Sequence, residues 1–279
     1  MIYVRILGGL GNQMFQYAAG HALAHRLNTE LILDFRENER LGPRPLTAVF
    51  DLTVKQPESL PPDRSEHPVK YGLWRLWGTH PKHYREAGLG YNARFSDLKD
   101  ETYLHGYWQT EKYFAPIAQD IRECFRIVPP ASAENRAMAD RIANSNSISL
   151  HVRRGDYLTT SSHGVCTEGY YLAALDRIRE ATDATPTVFV FSDEPEWAHD
   201  NLELPCEKIV VDLNGPSTDY EDLRLMSLCQ HNILANSSFS WWGAWLNENP
   251  DKIVVGPEQW FADKKLSNPD ILPDSWVRV

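Results

Sequence analysis

At 279 residues the chain is longer than one hydrophobic core usually organises, so two compact domains are expected. Its 42% hydrophobic and 24% charged residues are the composition of a folded globular protein and exclude a disordered one. A formal net charge of -10 excludes broad electrostatic attraction to nucleic acid or to an anionic membrane, so an anionic ligand needs a local basic pocket.

Ile2 to Leu7 reads as a buried strand, Gly8, Gly9 and Gly11 as a turn, and Phe15, Ala18, Ala19, Ala22, Leu23 and Leu27 as the apolar face of a helix. A second strand, Leu31 to Leu33, ends at Asp34. The turn GGLGNQ lets a ligand approach the backbone at Gly9 and Gly11, and Gln13 opens the helix whose amides can face an anion or a hydroxyl. It is an incomplete dinucleotide fingerprint, because Met14 occupies the third glycine position. Asp34 stands where a ribose-binding acid would, which keeps a dinucleotide-dependent oxidoreductase as the alternative.

From Arg36 to Lys99 periodicity is poor, and Tyr71, Trp74, Trp77, His80, His83, Tyr84 and Tyr91 accumulate. They either surround a ligand cleft or pack a loop-rich subdomain. A helical stretch, Glu111 to Cys124, precedes VPPASAEN, whose proline pair marks a domain boundary. Beyond it the strand-like runs SISLHV, TVFVFS, KIVV, NILA and KIVVG alternate with helical runs at Tyr170 to Ala181, Tyr220 to Cys229 and Trp241 to Asn247. Such alternation specifies a parallel sheet covered by helices. The expected fold class is α/β, with two Rossmann-like domains facing each other across a cleft, residues 1–130 and 131–279.

Ligands of parallel sheets bind beyond the carboxyl ends of the strands, and three further motifs fall there. In HVRRGDYL, residues 151–158, His151, Arg153, Arg154 and Asp156 cluster. Two adjacent guanidinium groups are costly to desolvate and match a diphosphate; the alternative is a solvated pair with Asp156 as counterion. In FSDEPEW, Ser192 and Asp193 leave a strand, and Asp193 either accepts from guanine or ribose or caps the next helix. In NSSFSWWGAW, the loop Asn236, Ser237, Ser238, Phe239 and Ser240 offers hydroxyls and helix-start amides to phosphate oxygens, while Trp241, Trp242 and Trp245 read as core.

There is no Asp-x-Asp clamp, GxSxG elbow or P-loop, and the pair His21 and His25 lacks the glutamate of a zinc-protease motif. No metal site is expected. Four widely spaced cysteines, no apolar run of about 20 residues and no signal-peptide pattern after Met1 lead to the expectation of a cytoplasmic protein without a membrane span, any contact with the inner face of a membrane being peripheral.

Taken together, GGLGNQMFQYA, HVRRGDYL, FSDEPEW and LANSSFSWWGAWL resemble glycosyltransferase family 11, the α-1,2-fucosyltransferases, over residues 1 to 256. The resemblance implies a GT-B-like fold, an acceptor-side domain 1–130 with an aromatic-rich insertion, a GDP-fucose-binding domain 131–279, inversion at the anomeric carbon, and neither metal nor other cofactor. It implies that Arg153 holds the β-phosphate with Arg154 in support, that His151 and Asp193 contact guanosine, and that Ser237, Ser238 and Ser240 form a phosphate loop. Asn12 then stands beside the reacting hydroxyl, and Asp156 is the candidate base or an orienter of Arg153. The implied reaction moves L-fucose from GDP-β-L-fucose to the 2-hydroxyl of a terminal galactoside. A fucosyltransferase for another acceptor and a carbohydrate-binding module using the Trp-rich face are the neighbouring alternatives.

Overall fold

A computed structural model describes the whole chain except Thr53, Gln56, Thr79, Asp156, residues 158–163 and Lys264. It divides into two compact units, Met1–Val128 with Asn268–Ile271, and Pro129–Ser267 with Leu272–Val279.

The first unit holds β1 (Ile2–Arg5), α1 (Leu10–Leu27), β2 (Leu31–Asp34), α2 (Arg36–Leu41), α3 (Pro68–Trp77), β3 (Lys82–Arg85), β4 (Thr102–His105) and α4 (Ala118–Cys124). Its sheet is parallel throughout, in the order β2-β1-β4-β3. The apolar run of β1 suits a central strand covered on both faces. Helix α1 approaches so closely that a Cβ on Gly20 would stand 2.3 Å from Val4 Cγ2, and its last turn closes on Asn28 in the left-handed region, φ 49.

The stretch read as irregular, Arg36 to Lys99, contains α2, α3 and β3, with β4 just beyond it. Edge strand β3 is partly exposed and polar, so it carries no alternation to read. The expected helix Glu111–Cys124 is broken into two 3-10 turns, Glu111–Tyr113 and Ala115–Ile117, before α4. The aromatics of this region largely pack: Trp74 contacts the rings of Tyr71, His83 and Tyr103 at 5.8, 5.2 and 5.2 Å, and Trp108 stacks among Tyr84, Phe95 and Tyr113. Trp77 and His80 are exposed.

The second unit holds α5 (Ala133–Ala143), β5 (Ser147–Val152), α6 (Glu168–Thr182), β6 (Thr187–Ser192), α7 (Pro195–Asn201), β7 (Glu207–Val210), α8 (Asp219–Leu228), β8 (His231–Ile233), α9 (Ser238–Leu246), β9 (Val254–Gly256) and β10 (Val277–Arg278). Its parallel strands lie in the order β10-β9-β8-β5-β6-β7. Numbered within the unit this is 6-5-4-1-2-3, the Rossmann order, which reverses between β5 and β8. All six residues of β5 are buried. Trp241, Trp242 and Trp245 are buried too, and Trp241 also packs on Trp276 at 5.3 Å, so they form core and leave no Trp-rich face for a carbohydrate module.

A boundary after residue 130 would assign the whole tail to the second unit, yet Asn268–Ile271 joins the first. Polar contacts hold it there: Asn268 donates to the Gln109 carbonyl at 2.8 Å, Asp270 pairs with Lys112 at 2.5 Å and accepts from the Tyr91 amide at 2.8 Å. Among the described residues no helix is long and apolar enough to cross a membrane.

Candidate active site

In the second unit β8, β5 and β6 are neighbours, so residues just past their carboxyl ends share one edge of the sheet. Val152 pairs in register with Ser192, which sends Arg153 and Asp193 out side by side. Arg153 Nε lies 3.4 Å from Asp193 Oδ2, and Asp193 Oδ1 accepts from the Arg154 amide at 3.0 Å. This packing explains Gly155: a Cβ there would stand 2.6 Å from Asp193 Oδ2. Arg154 Nε donates to Glu194 at 3.0 Å, and its guanidinium lies 3.7 Å above the Trp197 ring.

Two expectations are corrected here. The adjacent guanidiniums do not by themselves demand an external anion, because each has a carboxylate of the protein, Asp193 or Glu194, that offsets its desolvation. Nor does Asp193 cap α7, which has no side-chain cap; Ser192 Oγ instead accepts from the Glu194 amide at 3.0 Å.

Buried His151 faces Phe239 with ring centroids 6.0 Å apart. Burial, then the charge of Arg153, pushes its pKa down to about 3, so the ring is neutral at physiological pH. Its Nδ1 is buried without a hydrogen-bond partner among the described residues, a costly state that a bound polar group would relieve.

The serine-rich loop is largely self-bonded. Ser237 caps α9, accepting from the Phe239 amide at 3.3 Å, and the Ser240 hydroxyl donates to the carbonyls of Ser237 and Ala235 at 3.2 and 3.5 Å. Asn236 Nδ2 donates to the carbonyls of Gly164 and Trp260 at 3.2 and 3.1 Å, while its own carbonyl accepts from Tyr157 Oη at 3.2 Å. The side chains of Asn236 and Ser240 thus shape the loop. Asp156, the expected base, lies outside the described residues.

At the corresponding edge of the first unit, Gly8 adopts φ +82, and a Cβ would meet Asn12 Nδ2 at 2.9 Å. Gly9 is the N-cap of α1, and Gly11 is buried in its first turn. Gln13, fully buried, donates to the carbonyls of Gly8 and Arg44 at 2.8 and 2.9 Å and accepts from the Leu46 amide at 2.9 Å. Its amide is committed to the turn, so a donor contact through that side chain would break these bonds. Gln16 bonds both backbone groups of Leu7. Asp34 is likewise saturated, accepting from Arg36 and from Tyr103 Oη at 2.8 Å, and therefore presents no carboxylate to a ribose.

Asn12 Oδ1 accepts from Gln109 Nε2 at 2.8 Å, a contact the sequence did not announce. Gln109 follows Trp108, which sits at φ 58. Glu86, just beyond β3, braces this turn by accepting from the amides of Tyr107 at 2.7 Å and Trp108 at 3.1 Å. Burial pushes Glu86 up to about 7, against the lowering effect of those two bonds.

Two other features lie apart from the motifs. A depression of about 840 Å³ opens at the amino-terminal edge of the second sheet, lined by Asn146, Gln230, His231 and Asn249 among others, opposite to where parallel sheets bind ligands. His21, Asp120 and Cys124 bring their ligating atoms within 4.8 Å, but His21 Nε2 already bonds Asp120 Oδ2 at 2.7 Å, a clasp between α1 and α4. His25, its expected partner, takes no part.

Two parallel α/β units in one chain, the second with Rossmann strand order and its motifs at the carboxyl edge, define the GT-B-like class. The chain belongs to glycosyl transferase family 11, whose model matches residues 1–279. It is 32% identical over 301 residues to the alpha-1,2-colitosyltransferase of Escherichia coli, covering 100% of this chain and 99% of that protein. It is 24% identical over 253 residues to galactoside alpha-(1,2)-fucosyltransferase 2 of Oryctolagus cuniculus, covering 87% of this chain and 66% of that protein. Its fold is similar to that of a mutant Arabidopsis thaliana FUT1 in complex with GDP, with TM-score 0.51, 10% identity and coverage of 91% of this chain and 69% of that one.

Proposed function

We propose that the protein is an inverting, metal-independent galactoside 2-α-L-fucosyltransferase acting in the cytoplasm, with GDP-β-L-fucose as donor and a galactose-terminated glycan as acceptor. The observation that carries this reading is Arg153 held beside Asp193 where the strand order reverses, next to a neutral, buried His151 with an unbonded Nδ1. A diphosphate beside Arg153 and a guanosine group on His151 would suit both.

The acceptor oxygen attacks the anomeric carbon, the bond from that carbon to the β-phosphate oxygen breaks, and GDP departs with the electron pair. Charge grows on the diphosphate during this step, so Arg153 stabilises the transition state more than the bound donor. Asp193 orients it. Arg154, fixed between Glu194 and Trp197, supports the turn and its positive field. In the first unit Asn12, held by Gln109, is assigned to the acceptor hydroxyl. The proton of that hydroxyl is assigned to Asp156.

A second reading has a specific basis. The colitosyltransferase matches more closely than the fucosyltransferase, at 32% against 24% identity, and colitose is fucose without its 3-hydroxyl. Both relatives form α-1,2 links by name, so the two readings differ in donor. Turnover of GDP-fucose and GDP-colitose with a galactoside acceptor, in chelator, followed by linkage analysis of the product, tests the proposal. Fucosyl transfer to O2 in chelator is expected. Preference for GDP-colitose moves the donor assignment, a different linkage moves the acceptor assignment, and dependence on added divalent metal removes the metal-independent mechanism.

A further inference from the structure

Helix α3 contains no buried residue, yet most of its ten residues are apolar or aromatic: Val69, Tyr71, Leu73, Trp74, Leu76 and Trp77. One face is docked: Trp74 packs against the cluster of Tyr3, Ile32 and Tyr103 and donates from Nε1 to the Pro81 carbonyl at 2.9 Å, with Tyr71 beside it. The other face carries Val69, Leu73, Leu76 and Trp77, spaced i, i+4, i+7 and i+8, which falls within a single arc of about 100°. They are 73, 50, 71 and 71% exposed. A contiguous stripe of large apolar side chains in water is the informative kind of exposure, because folding gains nothing from it.

Charge selects the occupant. The helix bears Lys70 and Arg75 and no acid, and the segment from Arg64 to Arg85 carries five exposed cations, Arg64, Lys70, Arg75, Lys82 and Arg85, against one acid, Glu66, with Asp63 and Glu86 at its borders. This patch has the opposite sign to the chain as a whole, whose formal charge is -10. Trp and Leu on one face with Lys and Arg around it is the pattern of a helix lying in a membrane interface. A second copy would bring the same cations against each other, which an isologous contact disfavours.

We propose that the Val69, Leu73, Leu76 and Trp77 stripe of α3, flanked on the helix by Lys70 and Arg75, docks the protein onto an anionic lipid bilayer. Docking is peripheral and stands apart from the sugar-transfer reading, so either can fail alone.

The test is co-sedimentation of the full chain with vesicles containing phosphatidylglycerol, against vesicles of phosphatidylcholine alone. Partitioning onto the anionic vesicles is expected to exceed that onto the neutral ones by roughly tenfold, and to fall with added salt. The double variant Leu73→Glu with Leu76→Glu is expected to lower it roughly tenfold. Lys70→Glu with Arg75→Glu should erase the preference for anionic lipid, which keeps the test valid if the leucine variant misfolds. No sedimentation of the wild type, equal sedimentation of wild type and both variants, or self-association that the leucine variant abolishes in the absence of lipid binding would each overturn the proposal.

Discussion

At the carboxyl edge of the first sheet the glycine turn is held by side-chain amides, although Asp34 and Arg36 pair nearby; at that of the second the strand-end motifs are held by ions. Gln13, Gln16 and the Asn12–Gln109 pair bond a glycine turn through neutral hydrogen bonds. Arg153 with Asp193, and Arg154 with Glu194, form two ion pairs on neighbouring strand ends. Amide networks fix shape without creating a field, whereas a guanidinium edge creates a field that responds to charge appearing on a ligand. On the reading proposed above, a turn held by neutral bonds suits an acceptor hydroxyl and the guanidinium edge suits a departing diphosphate.

The sharpest way to break the contrast is Arg153→Ala, which should lower kcat by roughly 100-fold or more while leaving thermal unfolding near wild type. Near-normal turnover would move the transition-state role elsewhere. Gln13→Ala attacks the neutral edge, removing the three hydrogen bonds of a fully buried amide, to the carbonyls of Gly8 and Arg44 and from the Leu46 amide. A stability loss of about 3 kcal/mol in denaturant titration is expected, and a loss below about 1 kcal/mol would show that the turn holds itself.

Gln109→Ala sharpens the comparison by removing the Gln109 bond to Asn12 Oδ1 and leaving the turn's other bonds in place. With that hydrogen bond lost, kcat should drop by about tenfold with little change in KM for the donor. An equal rise in donor KM would place Gln109 on the nucleotide side instead.

The smallest effect is electrostatic. Burial raises Glu86 to about 7 in the first unit and Asp222 to about 7 in the second, above their unfolded values of 4.5 and 3.8. Each raised carboxyl adds stability that is present below its unfolded pKa and is lost as pH rises toward 7. Glu86→Gln and Asp222→Asn should therefore each flatten the fall of stability across that window. Unfolding midpoints collected from pH 4 to 8 would show an unchanged slope if these groups do not carry it.

Much of this arrangement was legible in the residues because parallel strands buried on both faces are apolar throughout. The segments SISLHV and TVFVFS announced β5 and β6, and the motifs after them placed Arg153 and Asp193 on one edge. Strands β3 and β4 were not legible: KHYR is a polar edge strand and carries no period, and TYLH, though internal and largely buried, is too short and mixed to show one. The partners of the arginines were hidden for a different reason. FSDEPEW showed Glu194 and Trp197, but only the packing of α7 brings them against Arg154. Nothing in the spacing between residues 12 and 109 told that Gln109 would hold Asn12.

Residues Asn268–Ile271 carry a consequence for anyone dissecting the protein. The polypeptide leaves the first unit at Val128, returns at Asn268 and departs again after Ile271. No single cut can yield two complete halves. A recombinant piece ending at Val128 would lose the aspartate that grips Lys112 and Tyr91, and one starting at Pro129 would carry a four-residue strap with nothing to fasten.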